Sequence, residues 1–195
     1  MTRVTREDVV QTAGRLFSLY GYHGTSMRDL GRELGLLGSS LYAHVDGKQQ
    51  LLVEVVERGA RFFQTSADAV GTVEGTAAER LRVLIEGHVD VVLEHRDEVR
   101  TYLYEATALD DDARQNVLDA RNRYEAVFTS VMKQGAADGS LRSDLDPKTA
   151  TIFTLSILNA IDRWYSESGR MSRKKLVDEI WTFILKGLCP TNPFL

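Results

Sequence analysis

The sequence predicts an all-α protein of about nine helices, on three observations. No proline occurs before Pro147, no run sustains a period of two, and apolar residues return at three- and four-residue steps through most of the chain. At 195 residues and 43% hydrophobic content the chain can bury a core, while 27% charge keeps its surface in water.

The first helix covers Thr5 to Tyr20 and places Val9, Ala13, Leu16, Phe17 and Tyr20 on one face. Thr5 is its N-cap, Glu7 and Asp8 sit in the positive first turn, and Gly21 stops it. Ser26 with Asp29 three residues on is a capping box with Asp in place of Glu, and it opens a short helix through Leu30 and Leu34 to Gly35. A third helix carries Leu41 and Val45 four residues apart as inward anchors. Lys48 to Val70 follows as a long helix whose apolar side is Leu51, Leu52, Val55, Val56, Phe62 and Phe63.

Residues 71–76 hold two glycines and read as a loop. Further helical runs cover about 77–94, 96–109, 112–137, 147–165 and 172–188. Asp146 before Pro147 is a cap followed by the favoured first-turn proline, and Ser172 caps the last helix.

Several function classes are disfavoured by what is missing. The one cysteine, Cys189, excludes an internal disulfide and has no histidine near it in sequence to make it a nucleophile. No charged start followed by an apolar run marks a signal peptide, and apolar stretches break well short of the roughly 18 residues that span a bilayer. A cytoplasmic protein with no membrane partner is expected. His88 and His95 lie two helical turns apart without further ligands at metal-binding spacing, so no metal and no cofactor is expected.

Charge adds a weak hint. Net charge is −4, yet residues 1–50 carry six Lys/Arg against five Asp/Glu, leaving the excess acid to the rest of the chain. Such a distribution fits a small DNA-reading head on an acidic body.

The segment GLLGSSLYAHVDGK, residues 35–48, sharpens that hint. Two short helices joined by a glycine turn, the second opening on small polar residues, describe a helix-turn-helix. Gly35 suits a left-handed turn position. Gly31 costs about 1 kcal/mol inside a helix and is explained by close approach of the next helix. The second helix fits a major groove about 12 Å wide with its first residues toward base edges. Ser39 and Ser40 then face bases or phosphates, while Tyr42, His44 and Lys48 fall at the groove rim, where each can donate to phosphate oxygens.

The run Thr25, Leu30, Gly31, Leu34, Gly35, Leu36, Leu41, Tyr42, His44, Lys48 and Leu51 resembles the DNA-binding signature of the TetR family of bacterial transcriptional repressors. The resemblance implies a helix-turn-helix DNA-binding domain over residues 1–50 and a ligand-binding and dimerisation domain over 51–195. It implies a homodimer joined through the last two helices, a palindromic double-stranded operator, and a small-molecule effector whose binding changes the separation of the two heads. The DNA-facing set becomes Thr25, Arg28, Leu37, Gly38, Ser39, Ser40, Tyr42, His44 and Lys48. The chain departs from the family pattern at Leu37, where Ser or Thr commonly caps, at Val45 for Phe, and at Gly47 for Ser.

A small-molecule site needs a mostly apolar cavity with a few aimed polar groups. Phe62, Phe63, His88, Tyr102, Arg121, Tyr124, Phe128, Asn159, Arg163 and Trp164 supply candidates. HVDGKQQLL and the stretch IDRWYSESGRMSRKKLVDEIWTFILKGL are similar to TetR repressors that answer to acyl-CoA thioesters. That similarity implies Arg61, Arg121 and Arg123 as candidates for the CoA phosphates.

The last two helices carry apolar residues too widely for one buried stripe, from Ile152, Phe153 and Trp164 to Trp181 and Leu188, and a two-fold partner is the simplest cover. The leading reading is a ligand-responsive repressor. A ligand- or partner-binding helical scaffold without operator binding, and a helical enzyme, are the alternatives. The enzyme lacks paired acid/base groups, a phosphate-cradling loop and a metal cluster.

Overall fold

The computed structural model describes residues 4–189, apart from the side chain of Ser39. Among the described residues every regular element is helical. In chain order these are α1 (Arg6–Gly24), α2 (Met27–Glu33), α3 (Gly38–Leu41), α4 (Lys48–Asp68), α5 (Ala77–Glu94), α6 (Arg96–Tyr104), α7 (Asp111–Asp138), α8 (Pro147–Asn159), α9 (Ile161–Trp164) and α10 (Arg173–Leu188). Short 3-10 turns follow α4 at Ala69–Thr72 and α6 at Ala106–Ala108.

Local chemistry sets most of the starts. Thr5 and Asp8, Ser26 and Asp29, and Thr76 and Glu79 each make a reciprocal box, the hydroxyl accepting from the third backbone N–H and the carboxylate accepting from the cap's own N–H. Asp146 accepts from the Thr149 N–H at 2.8 Å with Pro147 in the first turn, and Ser172 accepts from the Lys175 N–H. Each such cap stabilises its helix by about 1 kcal/mol. Gly35 takes φ +65 as expected, and α1 breaks at Gly21, φ +75, before a last turn to Gly24. Tyr20, expected on the buried face, stands exposed just ahead of that break.

Three expected elements differ. The third helix is a single turn, after which the N–H groups of Ala43 and His44 bond to the carbonyls of Ser40 and Leu41 in tighter i to i+3 geometry. The expected helix over 96–109 ends at Tyr104, where Glu105 leaves helical geometry and its carboxylate accepts from the Tyr22 N–H at 3.1 Å. The run 147–165 divides at Ala160, whose N–H turns to the carbonyls of Ile157 and Leu158 as Ile161 and Asp162 become buried.

Contacts group the chain into two compact units, residues 1–62 with 95–120 and residues 63–94 with 121–195. In the first, α1 packs against α6, and Val9, Phe17, Leu30, Leu41, Leu51, Leu52, Val55 and Val99 are buried. In the second, α5 is the central helix, with Leu81, Leu84, Ile85, Val89 and Val92 buried against neighbours that include α8, α9 and α10. Burial of each such side chain contributes roughly 1.5–3 kcal/mol. Arg82 to Asp178 at 2.8 Å and Arg173 to Asp90 and Glu94 bridge α5 and α10, each pair half-exposed and screened by water, so they orient the two helices more than they stabilise them.

Candidate nucleic-acid interface and ligand site

The first unit presents a helical hairpin, α2, a turn at Gly35, then α3. The Leu36 N–H donates to the Gly31 carbonyl at 2.8 Å, and a Cβ built on Gly31 would meet the Leu36 carbonyl at 3.1 Å. The close approach at Gly31 is thus made by the backbone of the turn at Leu36 and not, as expected, by the next helix. Leu41 and Val45 are buried and fasten the second arm from beneath.

What remains outward is the predicted reading face. Leu37 is 78% exposed and Tyr42 57%, so neither is needed by the protein's own packing. Arg28, Leu37 and Tyr42 meet around one open cleft of about 510 Å³ that Met27, Gly31, Arg32 and Leu36 complete. Ser40 is exposed beside them and His44 is half-buried. Gly38 and Ser39 belong to α3 by backbone, and the Ser39 side chain lies outside those described.

Thr25 and Lys48 are placed differently. Thr25 is buried, and its hydroxyl donates to the carbonyls of Leu16 at 3.2 Å and Gly21 at 3.0 Å, so in this structure it closes the end of α1 and presents no donor to a phosphate. Lys48 Nζ donates to the Thr25 carbonyl at 2.7 Å and sits 4.0 Å over the Tyr22 ring, and partial burial lowers its pKa. Two of an ammonium's three protons remain for another acceptor. The Tyr22 hydroxyl donates to Gln49 Oε1 at 2.7 Å, and Gln49 Nε2 donates to the Ala108 carbonyl. The first residues of α4 are thus tied to α1 and to the 3-10 turn that follows α6.

The predicted ligand residues separate. Phe62 stacks face to face on His95, ring centres 3.6 Å apart, and Tyr102 is buried near Gly59, all within the first unit. Phe63, His88, Tyr124 and Phe128 form a buried aromatic cluster in the second. Arg121 and Asn159 are half-buried, while Arg163 and Trp164 are exposed. No three His, Cys, Asp or Glu among the described residues group as a metal site.

His88 is the polar member of the cluster. Its Nδ1 lies 3.0 Å from the Tyr124 hydroxyl and its Nε2 is buried without a hydrogen-bond partner, at a cost of about 1–3 kcal/mol. Burial pushes its pKa down to about 3 from 6.5. As pH falls below 6.5 the unfolded chain takes a proton that the folded chain refuses, so stability present above 6.5 is lost by up to about 1.4 kcal/mol per pH unit. His88→Phe is expected to flatten urea-measured stability between pH 6.5 and about 5, above the range where carboxylates take over.

The profile described as "Bacterial regulatory proteins, tetR family" matches residues 9–55, and that of the "Tetracyclin repressor-like, C-terminal domain" matches 74–188. The chain belongs to the TetR family.

TetR relatives span nearly the whole chain. The "HTH-type transcriptional repressor KstR2" of Mycolicibacterium smegmatis is 25% identical over 184 residues, covering 94% of this chain and 90% of the relative. The KstR2 of Mycobacterium tuberculosis is 26% identical over 186 residues, covering 94% and 92%. The solved structure of the ketosteroid transcriptional regulator KstR2 of Mycobacterium tuberculosis superposes with a TM-score of 0.90 at 21% identity, covering 98% of each chain. AibR "in complex with isovaleryl coenzyme A and operator DNA" superposes at 0.84 with 24% identity, covering 91% of this chain and 96% of AibR. Both superpositions show the fold. The TetR family and these relatives are transcriptional regulators, so the enzyme alternative falls away.

Within this TetR chain the sequence reasoning missed Tyr22, Gln49 and Glu105, which hold Lys48 and the end of α6 in place. The pattern QQLL after Lys48 showed that Gln49 was polar, but no local signal pairs it with residues 27 and 59 positions away. No helix among the described residues is long and apolar enough to cross a membrane.

Proposed function

We propose that this TetR-family chain is a cytoplasmic homodimeric repressor that holds a palindromic operator through α2 and α3 and releases it when an acyl-CoA thioester binds. The observation that carries the DNA half is the division of one short hairpin: Leu41 and Val45 are buried, while Leu37, Ser40 and Tyr42 stand outward with no packing task. Lys48 opens α4, a position where a cation opposes the helix dipole, and a phosphate there relieves the opposition. Residues 1–50 serve as the head and 51–195 as the ligand-binding and dimerisation part.

The effector half draws on AibR, whose complex contains isovaleryl coenzyme A, and on the aromatic cluster of Phe63, His88, Tyr124 and Phe128. Arg61, Arg121 and Arg123 are the cations offered to CoA phosphates. The dimer half draws on Phe153 and Ile152 of α8 and Phe183 of α10, all exposed in the single chain. Release is a population shift: an effector that prefers the DNA-incompetent dimer a hundredfold moves the equilibrium by about 2.8 kcal/mol.

The test is capture of fragmented DNA from the source organism by the purified chain at physiological salt, followed by octanoyl-CoA. An enriched palindrome that octanoyl-CoA displaces is expected. Enrichment without displacement by any millimolar CoA ester removes the effector, and no enrichment favours the scaffold.

A further inference from the structure

We propose that the Nε2–H of His88 donates a hydrogen bond to a carbonyl oxygen of the effector, so that the second unit selects a neutral acyl group, as in a thioester or ketone, over the corresponding free carboxylate. The inference deepens the acyl effector reading above and rests on it for the location of the ligand.

Two facts about His88 point outward from its own packing. The ring is 1% exposed, yet only Nδ1 has a partner, the Tyr124 hydroxyl at 3.0 Å, and Nε2 is sealed from solvent with none. A buried polar group left unpaired is rare enough in folded proteins to need a reason. A phenol is a far stronger acid than a neutral imidazole N–H, so the favoured arrangement has the Tyr124 hydroxyl donating to Nδ1. With the Tyr124 hydroxyl assigned as the donor to Nδ1, the ring proton sits on Nε2 and the orphaned atom is a donor.

The surroundings define what such a donor takes. Phe63 lies 4.7 Å from the His88 ring and 5.3 Å from Tyr124, and Phe128 lies 5.4 Å from Tyr124, centre to centre. Phe63 and Phe128 are themselves buried, so the aromatic surroundings of the ring are apolar. Because burial keeps the imidazole neutral, the ring supplies no countercharge, and a carboxylate brought against it there loses its hydration without an ion pair in return. A thioester, ester or ketone oxygen accepts the same hydrogen bond with much less hydration to lose.

The test follows the imidazole nitrogens of the full chain labelled with 15N-histidine, with 2-nonanone, octanoyl-CoA and sodium octanoate as probes. Expected is a shift of the His88 Nε2 resonance with the ketone and the thioester, and octanoate binding at least tenfold more weakly than 2-nonanone. His88→Phe keeps the apolar fill and is expected to weaken 2-nonanone about tenfold or more, while His88→Gln, which keeps a side-chain N–H donor, restores most of the loss.

A 2-nonanone response at His88 with a silent octanoyl-CoA sinks the thioester reading and leaves the donor standing. Operator release by octanoyl-CoA with an unmoved His88 resonance overturns the donor and leaves the repressor reading intact. A His88 ring unmoved by all three probes, or octanoate binding as tightly as the ketone, also overturns it.

Discussion

Gly59→Ala is expected to lower the unfolding free energy by up to about 2 kcal/mol, although alanine is the better helix former. In the first unit α4 passes α6 so closely at this point that a Cβ on Gly59 would lie 2.8 Å from the Tyr102 Cβ and 2.9 Å from the Glu98 carbonyl oxygen. Neither is the free end of a flexible side chain. The added methyl must move one helix away from the other, and overpacking of this kind costs about 1–3 kcal/mol. The gain in helix propensity of about 1 kcal/mol offsets only part of that. Gly14 supplies the contrast, since a Cβ there meets Val55 at 3.4 Å and Glu98 Cγ at 3.8 Å, ordinary contact distances. Gly14→Ala is therefore expected to leave stability unchanged or raise it by up to about 1 kcal/mol. Urea unfolding followed by circular dichroism reads both; equal midpoints for the two variants would mean that α4 and α6 do not rely on this approach.

Phe153→Glu combined with Phe183→Glu is expected to convert a dimer into monomers and to weaken operator binding by a hundredfold or more. The two rings are 59% and 69% exposed in the single chain, on α8 and α10, and a twofold partner would remove them from water. Four carboxylates buried in the resulting interface, two from each subunit, would have no countercharge from the rings they replace. Separated heads each grip half a palindrome, and the effective concentration that links the second grip to the first is lost. Sedimentation equilibrium gives the mass and a fluorescent operator gives the affinity. Leu19→Glu, an exposed position in the first unit, is the control that should leave the mass unchanged. A double variant that still sediments as a dimer would place the interface elsewhere.

Where the determinants are local, the sequence was readable. Thr5 as a cap, Ser26 with Asp29, Asp146 with Pro147, and Gly35 act over a few residues, and the structure uses each as its spacing suggested, while the reciprocal bonds of Thr5 with Asp8 and Thr76 with Glu79 were seen only in the structure. The TetR signature from Thr25 to Leu51 was legible for the same reason. Thr25 and Lys48 show the boundary of that method. Their residue types fit phosphate contacts, but Thr25, at the end of α1, bonds back to the Leu16 carbonyl of that helix, and Lys48, distant in sequence, lies over the Tyr22 ring.

Partners distant in sequence were the main blind spot. Gly59 was unremarkable until α6 lay across it, and His88 gave no hint of Tyr124, 36 residues on. Phe62 and Phe63 looked interchangeable on one apolar side, yet one stacks on His95 and its neighbour packs on His88. The break at Ala160 carries neither glycine nor proline, and the shortened third helix follows from a start on Gly38 and Ser39 with no side-chain cap evident at Leu37. Arg163 and Trp164, chosen as pocket residues for their chemistry, are exposed in the single chain.

The most direct measurement of the central claim is a salt titration of binding to the recovered palindrome and to a scrambled duplex of equal length, with wild type and Tyr42→Phe. The account predicts much tighter binding to the palindrome, log affinity falling with log salt by about 0.9 per phosphate contacted, and a Tyr42→Phe loss that is alike on both duplexes. Equal affinity for palindrome and scrambled DNA at every salt concentration, or no binding to either, would contradict it.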